Sequence, residues 1–373
     1  MNILFLIATL GLGGAEKQLI SWAQILQADL GAHVCVASFD AARTQWVQAL
    51  KDMDVPVAVL GRDQGLAKRT SSVVSMARQN QVDIAHAFSC YLSPLAIAAS
   101  MAAGAVPASS VRGDGLADLC ALRAVYRRPV LSRVKYFTAN SREAIAQVKP
   151  RLSPKTMVQY VPNLVTVPKL DARDRQSAGP LTTKTALMVG RLDRNKRIDL
   201  FLEALATARR LEPGLKGAIV GEGPLLEELR SRAAALGLLP QGVEFLGRLP
   251  DVSEHYANTD IFVHLAVSEG TPNVVLEAMA AGLPVIATGA GDLRRIIKPR
   301  QTGILVPFDD AAALAEGLVE LARTPELGAR LGREARAEML RSFSHQEVRD
   351  ALERFYSAIP LRQRRRHTRT QTN

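Results

Sequence analysis

Short runs of Val, Ile and Leu alternate along this chain with longer stretches of helical spacing, and the alternation is gone through twice. This feature constrains the fold most, because alternating apolar runs and helical patterns are the signature of βαβ units in a parallel sheet. In the first half strands are read at Ile3–Ala8, Val34–Phe39, Val57–Leu60, Ile84–Ala87, Ala108–Val111, Tyr136–Ala139 and Met157–Val161. The second half gives Thr185–Val189, Lys216–Val220, Val243–Leu246, Ile261–Leu265, Val285–Ala287 and Gly303–Val306. Runs this apolar suit strands covered by helices on both faces. The 373 residues are 47% apolar and 22% charged. At ~100–200 residues per domain that is enough for two cores and too short for three. The expected fold class is α/β, with two Rossmann-like, doubly wound parallel sheets.

The expected domains are 1–167 and 181–343, joined by a linker at 168–180 that is charged, bounded by prolines and without apolar periodicity. A terminal helix over 344–359 starts at an N-cap serine, Ser344, and is expected to pack back toward the first domain. A basic tail, 360–373, is expected to be disordered. Cys35, Cys90 and Cys120 are scattered, lack metal-ligand spacing and read as free thiols of a reducing compartment. No Lys or Arg precedes the first apolar run, and no run reaches the ~18 apolar residues of a membrane span. The expected location is cytoplasmic, peripheral at the inner face of the cell membrane.

The formal charge is +11, and five arginines (Arg362, Arg364, Arg365, Arg366 and Arg369) lie in the last dozen residues. Between Arg112 and Lys155 ten Lys or Arg face three acids, Asp114, Asp118 and Glu143. Such an excess attracts phosphates. In this stretch Arg123, Arg127, Arg128, Arg133 and Lys135 are interleaved with Leu, Val and Tyr, a composition suited to anionic lipid headgroups. Aromatic residues make up only 5% and no DNA or RNA motif is present, so nucleic acid is not expected as a partner.

Several turns carry chemistry. After the first strand, Gly11, Gly13 and Gly14 open a helix where amides and the helix dipole favour a phosphate. Glu16 stands where a dinucleotide fingerprint has its third glycine, and Asp40 is spaced as a ribose acid. An NAD(P)-dependent oxidoreductase built on this loop is the alternative function. The second half opens with Gly190-Arg191 and continues to Lys196, two cations placed after a strand to converge on a diphosphate. The turns Gly221-Glu222-Gly223-Pro224 and Gly247-Arg248 follow two further strands, and their main-chain groups suit the edge of a nucleobase. The strongest segment runs from Ser268 through Glu269, Gly270, Thr271, Pro272 and Asn273 to Glu277. Pro272 is tolerated at a helix start, the turn Gly270 to Asn273 offers amides to an anion, and a carboxylate on either side accepts from sugar hydroxyls. Two acids around an amide-rich turn suit a sugar diphosphate better than a metal. Asp52-Met53-Asp54, by contrast, lies in a charged turn before a short strand and reads as surface.

The Glu-x7-Glu arrangement, preceded by Gly-Arg and Gly-Glu-Gly-Pro turns, resembles the retaining family-4 glycosyltransferases of the GT-B fold, the glycosyl transferases of group 1. The likeness covers nearly the whole chain and is best from Gly190 to Pro307. It implies that Glu277 holds the ribose and Glu269 the donor-sugar hydroxyls. Arg191 and Lys196 would hold the diphosphate, and Gly13 and Gly14 would approach the donor phosphates from the other domain. It implies retention of configuration, no cofactor and no metal, the two cations stabilising the leaving nucleotide. The expected partners are a nucleotide-sugar donor, a UDP- or GDP-sugar, and a lipid-linked or glycan acceptor, met in a cleft between the domains. Two positions depart from the pattern. Where many relatives have His-x-His this chain reads His86-Ala87-Phe88, and Arg295 stands at a commonly acidic position after Gly289-Ala290-Gly291. His86 is carried as a candidate catalytic or cleft residue and Arg112 as one for an anionic acceptor.

Overall fold

The computed structural model describes residues 1–11, 13–40, 45–61, 64–122, 124–165 and 184–361. The expected linker, Arg123 and the arginines from Arg362 onward lie outside the described residues. Thirteen strands are present among the described residues, each within two residues of its expected ends. They are β1 (Asn2–Ile7), β2 (His33–Ser38), β3 (Val57–Val59), β4 (Ile84–Ala87), β5 (Val106–Val111), β6 (Tyr136–Ala139), β7 (Met157–Tyr160), β8 (Lys184–Val189), β9 (Leu215–Val220), β10 (Val243–Gly247), β11 (Ile261–His264), β12 (Val285–Thr288) and β13 (Ile304–Val306). Two compact units emerge: Met1–Ala139 with Ile145–Val161 and the chain from Arg349, and Asn140–Ala144 with Pro162–Val348.

The first unit holds a seven-stranded sheet in the order β3-β2-β1-β4-β5-β6-β7. The second holds a six-stranded sheet in the order β10-β9-β8-β11-β12-β13. All strand pairings in both sheets are parallel. Strand order reverses between β1 and β4 in one unit and between β8 and β11 in the other. Doubly wound sheets bind ligands outside the carboxyl ends of the strands at such a reversal, so two sets of turns are singled out by topology alone.

The near-continuous apolar runs follow from burial on two faces. In the second unit Ala186, Met188, Val263 and Ile286 belong to one core with Phe201, Leu205 and Leu318, from the helices Ile198–Leu211 and Ala311–Arg323. Their strand neighbours Leu187, Phe262, Val285 and Ala287 point the other way, into a core with Leu276 and Met279 from the helix Asn273–Ala280 and Met339 from Pro325–Ser342. Alternate side chains of a strand face opposite sides of the sheet, so only a strand that is apolar at every position fills both cores. Each fully buried Leu or Ile contributes roughly 1.5–3 kcal/mol. In the first unit Leu4, Leu6, Cys35 and Ala85 share a core with Val73 and Leu95. Phe5 packs at 5.9 Å from Phe88 and 6.3 Å from Trp22. The last helix, His345–Ser357, brings Phe355 and Tyr356 against His86, at ring distances of 5.7 and 5.9 Å.

Candidate active site

In the second unit the turns after β8, β9 and β10 are joined by main-chain hydrogen bonds. The Gly190 amide donates to Val220 O (3.0 Å), Leu192 to Glu222 O (3.0 Å) and Gly221 to Gly247 O (2.7 Å). Gly221 adopts φ 145°, and a Cβ there would run into the Gly190 carbonyl, so no other residue permits this approach. The turns expected to meet a nucleotide therefore form one floor. Above it the side chains of Arg191, Glu222 and Arg248 are exposed, and Arg191 lies 3.6 Å from Asp193.

Beside this floor, across the β8/β11 reversal, the expected cation and acid meet. The stem of Lys196 passes over Gly190, where a Cβ would stand 3.4 Å from Cε, and its ammonium pairs with Glu269 Oε1. Both side chains are largely buried, 19% and 17% exposed. Asn195 fixes the approach. Its side chain donates to Ser268 O and accepts from Ser268 N, both at 3.0 Å, while its carbonyl accepts from Val267 N at 2.9 Å. His264, the last residue of β11, lies below, with Nε2 3.5 Å from the same Glu269 oxygen. At that length the imidazole N–H acts on the carboxylate as a long polar contact, and among the described residues no atom makes a well-formed hydrogen bond to His264 Nε2. Burial pushes the Glu269 carboxyl up, but the imidazole and the Lys196 ammonium outweigh it and bring it from 4.5 to about 2. Burial holds His264 below its ordinary value, against the pull of Glu269, so the imidazole is neutral.

The amide-rich turn is braced from behind. Gly270 O accepts from Asp292 N at 3.0 Å. Asp292, itself buried, accepts from Ser141 Oγ (3.0 Å), Arg142 N (2.7 Å) and Glu143 N (2.9 Å). Thr271 Oγ1 donates to Asn140 O at 2.7 Å, and Asn163 Nδ2 donates to Thr271 O (2.9 Å) and Asn273 Oδ1 (2.7 Å). Pro272 stands at the N-cap of the helix Asn273–Ala280, where no side chain caps the first turn. One helical face further on, Glu277 accepts from the buried Tyr256 hydroxyl at 3.2 Å. Burial and the Glu277 carboxylate hold that phenol well above 10. Arg295 is exposed.

The structure thus brings Lys196 and Glu269 together, sets Arg191, Glu222, Gly247 and Arg248 on the adjoining turns, and places Glu277 on the helix that leaves the Gly270–Asn273 turn. Four residues with no role assigned from sequence complete the arrangement: His264, Asn195, Tyr256 and Asp292. For His264 the signal was a histidine inside an apolar run, and for Asn195 a position between two cations.

In the first unit the outcome differs. His86 is fully buried, with Nδ1 2.8 Å from the Tyr356 hydroxyl and Nε2 2.9 Å from Ser110 Oγ. Burial and the Arg112 charge lower it to about 3. Where a catalytic or cleft role was expected of His86, the structure shows a neutral imidazole with both nitrogens engaged inside the core, the surroundings of a packed residue. Arg112 lies over the rings of Trp22 and Phe88, its guanidinium carbon 4.3 and 4.1 Å from their centres. Gly13 and Gly14 are exposed at the start of the helix Gly14–Ala28, and the Glu16 carboxylate lies against Gly13. A dinucleotide fingerprint has a glycine at that place, so the oxidoreductase alternative gains no support. Asp52 and Asp54 are exposed, before β3.

Comparison with known proteins points one way. Residues 171–338 match the family described as glycosyl transferases group 1. Phosphatidyl-myo-inositol mannosyltransferase of Mycobacterium leprae is 34% identical over 203 residues, 53% of this chain and 53% of that protein. A Campylobacter jejuni α-1,4-N-acetyl-D-galactosaminyltransferase, named for a GalNAc-bearing diNAcBac-PP-undecaprenol, is 36% identical over 137 residues, 35% of this chain and 36% of that one. The chain therefore spans about half or less of the length of these curated relatives. Anabaena HepE, solved with UDP and glucose, superposes with a TM-score of 0.82 at 21% identity over 96% of this chain and 100% of that one, which establishes the GT-B fold.

Proposed function

We propose that this chain, whose residues 171–338 match the glycosyl transferases of group 1, moves a sugar from a UDP- or GDP-sugar to a lipid-linked or glycan acceptor, with retention of configuration and without a metal. The observation that carries this reading is the Lys196–Glu269 pair at the strand-order reversal, beside a floor of main-chain turns. As the nucleoside diphosphate departs, negative charge grows on its phosphate oxygens, and Lys196 with Arg191 supplies the compensating positive charge. Glu269, ionised at every physiological pH, accepts from the donor sugar, and Glu277 accepts from the ribose. The turns at Glu222, Gly247 and Arg248 meet the base.

A lipid-linked acceptor is supported by the names of the mycobacterial and Campylobacter relatives and by the surface of the first unit. There Val125 and Tyr126, 70% and 39% exposed, share the helix Ala124–Arg133 with the exposed cations Arg128 and Arg133. Apolar side chains beside cations suit an anionic bilayer surface. No helix among the described residues is long and apolar enough to cross a membrane. We place the work at the cytoplasmic membrane face, in the synthesis of a cell-surface polysaccharide or glycolipid.

A donor screen that follows nucleotide release with and without membrane extract tests the activity. UDP or GDP is expected to raise the melting midpoint while NAD leaves it unchanged; the reverse result overturns the proposal. Failure to co-sediment with acidic vesicles at low salt would remove the membrane part alone.

A further inference from the structure

One buried group at the centre of the second unit is not used by the reading above. His264 is 1% exposed, its Nε2 has no hydrogen-bond partner among the described residues, and its nearest acid is Glu269 Oε1 at 3.5 Å. An unsatisfied ring nitrogen in a dry site costs free energy unless some state of the protein uses it. The oxygen it faces already has a partner, Lys196. That pairing conflicts with the task assigned to Lys196, because an ammonium that turns toward a diphosphate leaves the buried Glu269 carboxylate next to new negative charge.

We propose that His264 is a positioning residue for Glu269: when Lys196 turns to the diphosphate, the Nε2–H of the neutral imidazole takes over the carboxylate oxygen that the lysine releases. This rests on the nucleotide-sugar reading above. The distance required is small, since a contraction of about half an ångström brings the contact into hydrogen-bond range. The Nε2–H tautomer follows from an acceptor oxygen being the group this nitrogen faces. No proton changes owner: Glu269 stays ionised and His264 stays neutral in both states. The exchange keeps Glu269 in place for the donor sugar while its former partner holds the phosphates.

A double-mutant cycle read by calorimetric titration with UDP, and with GDP in parallel, tests this without an acceptor. His264→Leu, which fills the site but carries no donor, is expected to weaken nucleoside diphosphate binding about tenfold. His264→Gln, which keeps an N–H, stays within about threefold of wild type. In a Glu269→Gln background no carboxylate has to be handed over, and His264→Leu then has no effect. An equal loss in both backgrounds assigns His264 a merely structural role and overturns the proposal, as does the absence of any loss in the wild-type background. If His264→Leu does not fold, as judged by the melting midpoint of the unliganded protein, His264→Met takes its place in the same cycle. A wild-type chain that binds neither UDP nor GDP defeats the glycosyl-transfer reading and this inference with it. A wild-type chain that binds while the cycle is flat defeats the inference alone.

Discussion

Lys196 and Glu269 stand 73 residues apart in sequence and meet as an ion pair where β8 and β11 run side by side. The charge balance of the second unit's strand ends turns on this contact.

The pair makes stability depend on pH in a defined direction. The folded state holds Glu269 at about 2 against an ordinary 4.5, so the unfolded chain takes up the proton first as pH falls. The stabilisation is fully present above about pH 4.5 and is lost as pH drops toward 2. Glu269→Gln removes it and leaves the Lys196 ammonium without its partner, a loss on the order of 3 kcal/mol near neutrality. Urea midpoints of the two proteins, measured from about pH 7 down to about pH 3, are expected to converge.

On the proposed reading, Glu277 and Glu269 have separable tasks. Glu277→Ala is expected to weaken UDP or GDP binding at least about tenfold, the usual loss of a hydrogen bond to a charged acceptor. Glu269→Gln instead lowers turnover and leaves nucleotide affinity in place. The Tyr256 phenol, held up partly by Glu277, titrates lower in Glu277→Ala, which ultraviolet difference spectra follow. Equal losses of affinity in both variants would contradict the division.

His86 is expected to matter for folding and not for turnover. Its folded value of about 3 lies below its ordinary 6.5, so its contribution is present above about pH 6.5 and erodes as pH falls toward 3. His86→Gln should flatten that limb of the stability curve by up to about 1.4 kcal/mol per pH unit and leave UDP affinity unchanged. A selective fall in turnover at constant stability would restore the catalytic assignment.

Gly221→Ala should be among the most damaging substitutions of its size. The residue has φ 145°, and its missing Cβ is the space that the Gly190 carbonyl fills. Strain and collision together cost more than ~2 kcal/mol and push apart the turns after β8 and β9. Thermal melting and UDP titration are both expected to report the loss.

Much of this was legible in the sequence, because the signals involved are local. Apolar runs such as Thr185–Val189 and Ile261–Leu265 announce strands, and turns such as Gly221-Glu222-Gly223-Pro224 announce their carboxyl ends. What could not be read was pairing at a distance. His264 sits in an apolar run and looks like core until β11 is seen beside β8. Asp292 looks like an ordinary loop acid, yet it binds a segment about 150 residues earlier. His86 resembled a site residue because nothing near it in sequence shows that Tyr356, 270 residues later, covers it.

The floor made by the turns after β8, β9 and β10 is fastened by amide-to-carbonyl bonds, and the side chains of Arg191, Glu222 and Arg248 reach solvent above it. Evolution, or an engineer, can therefore rewrite those three letters without moving the scaffold beneath them. On the proposed reading, nucleobase preference becomes an adjustable trait of the second unit, separate from the residues assigned to glycosyl transfer.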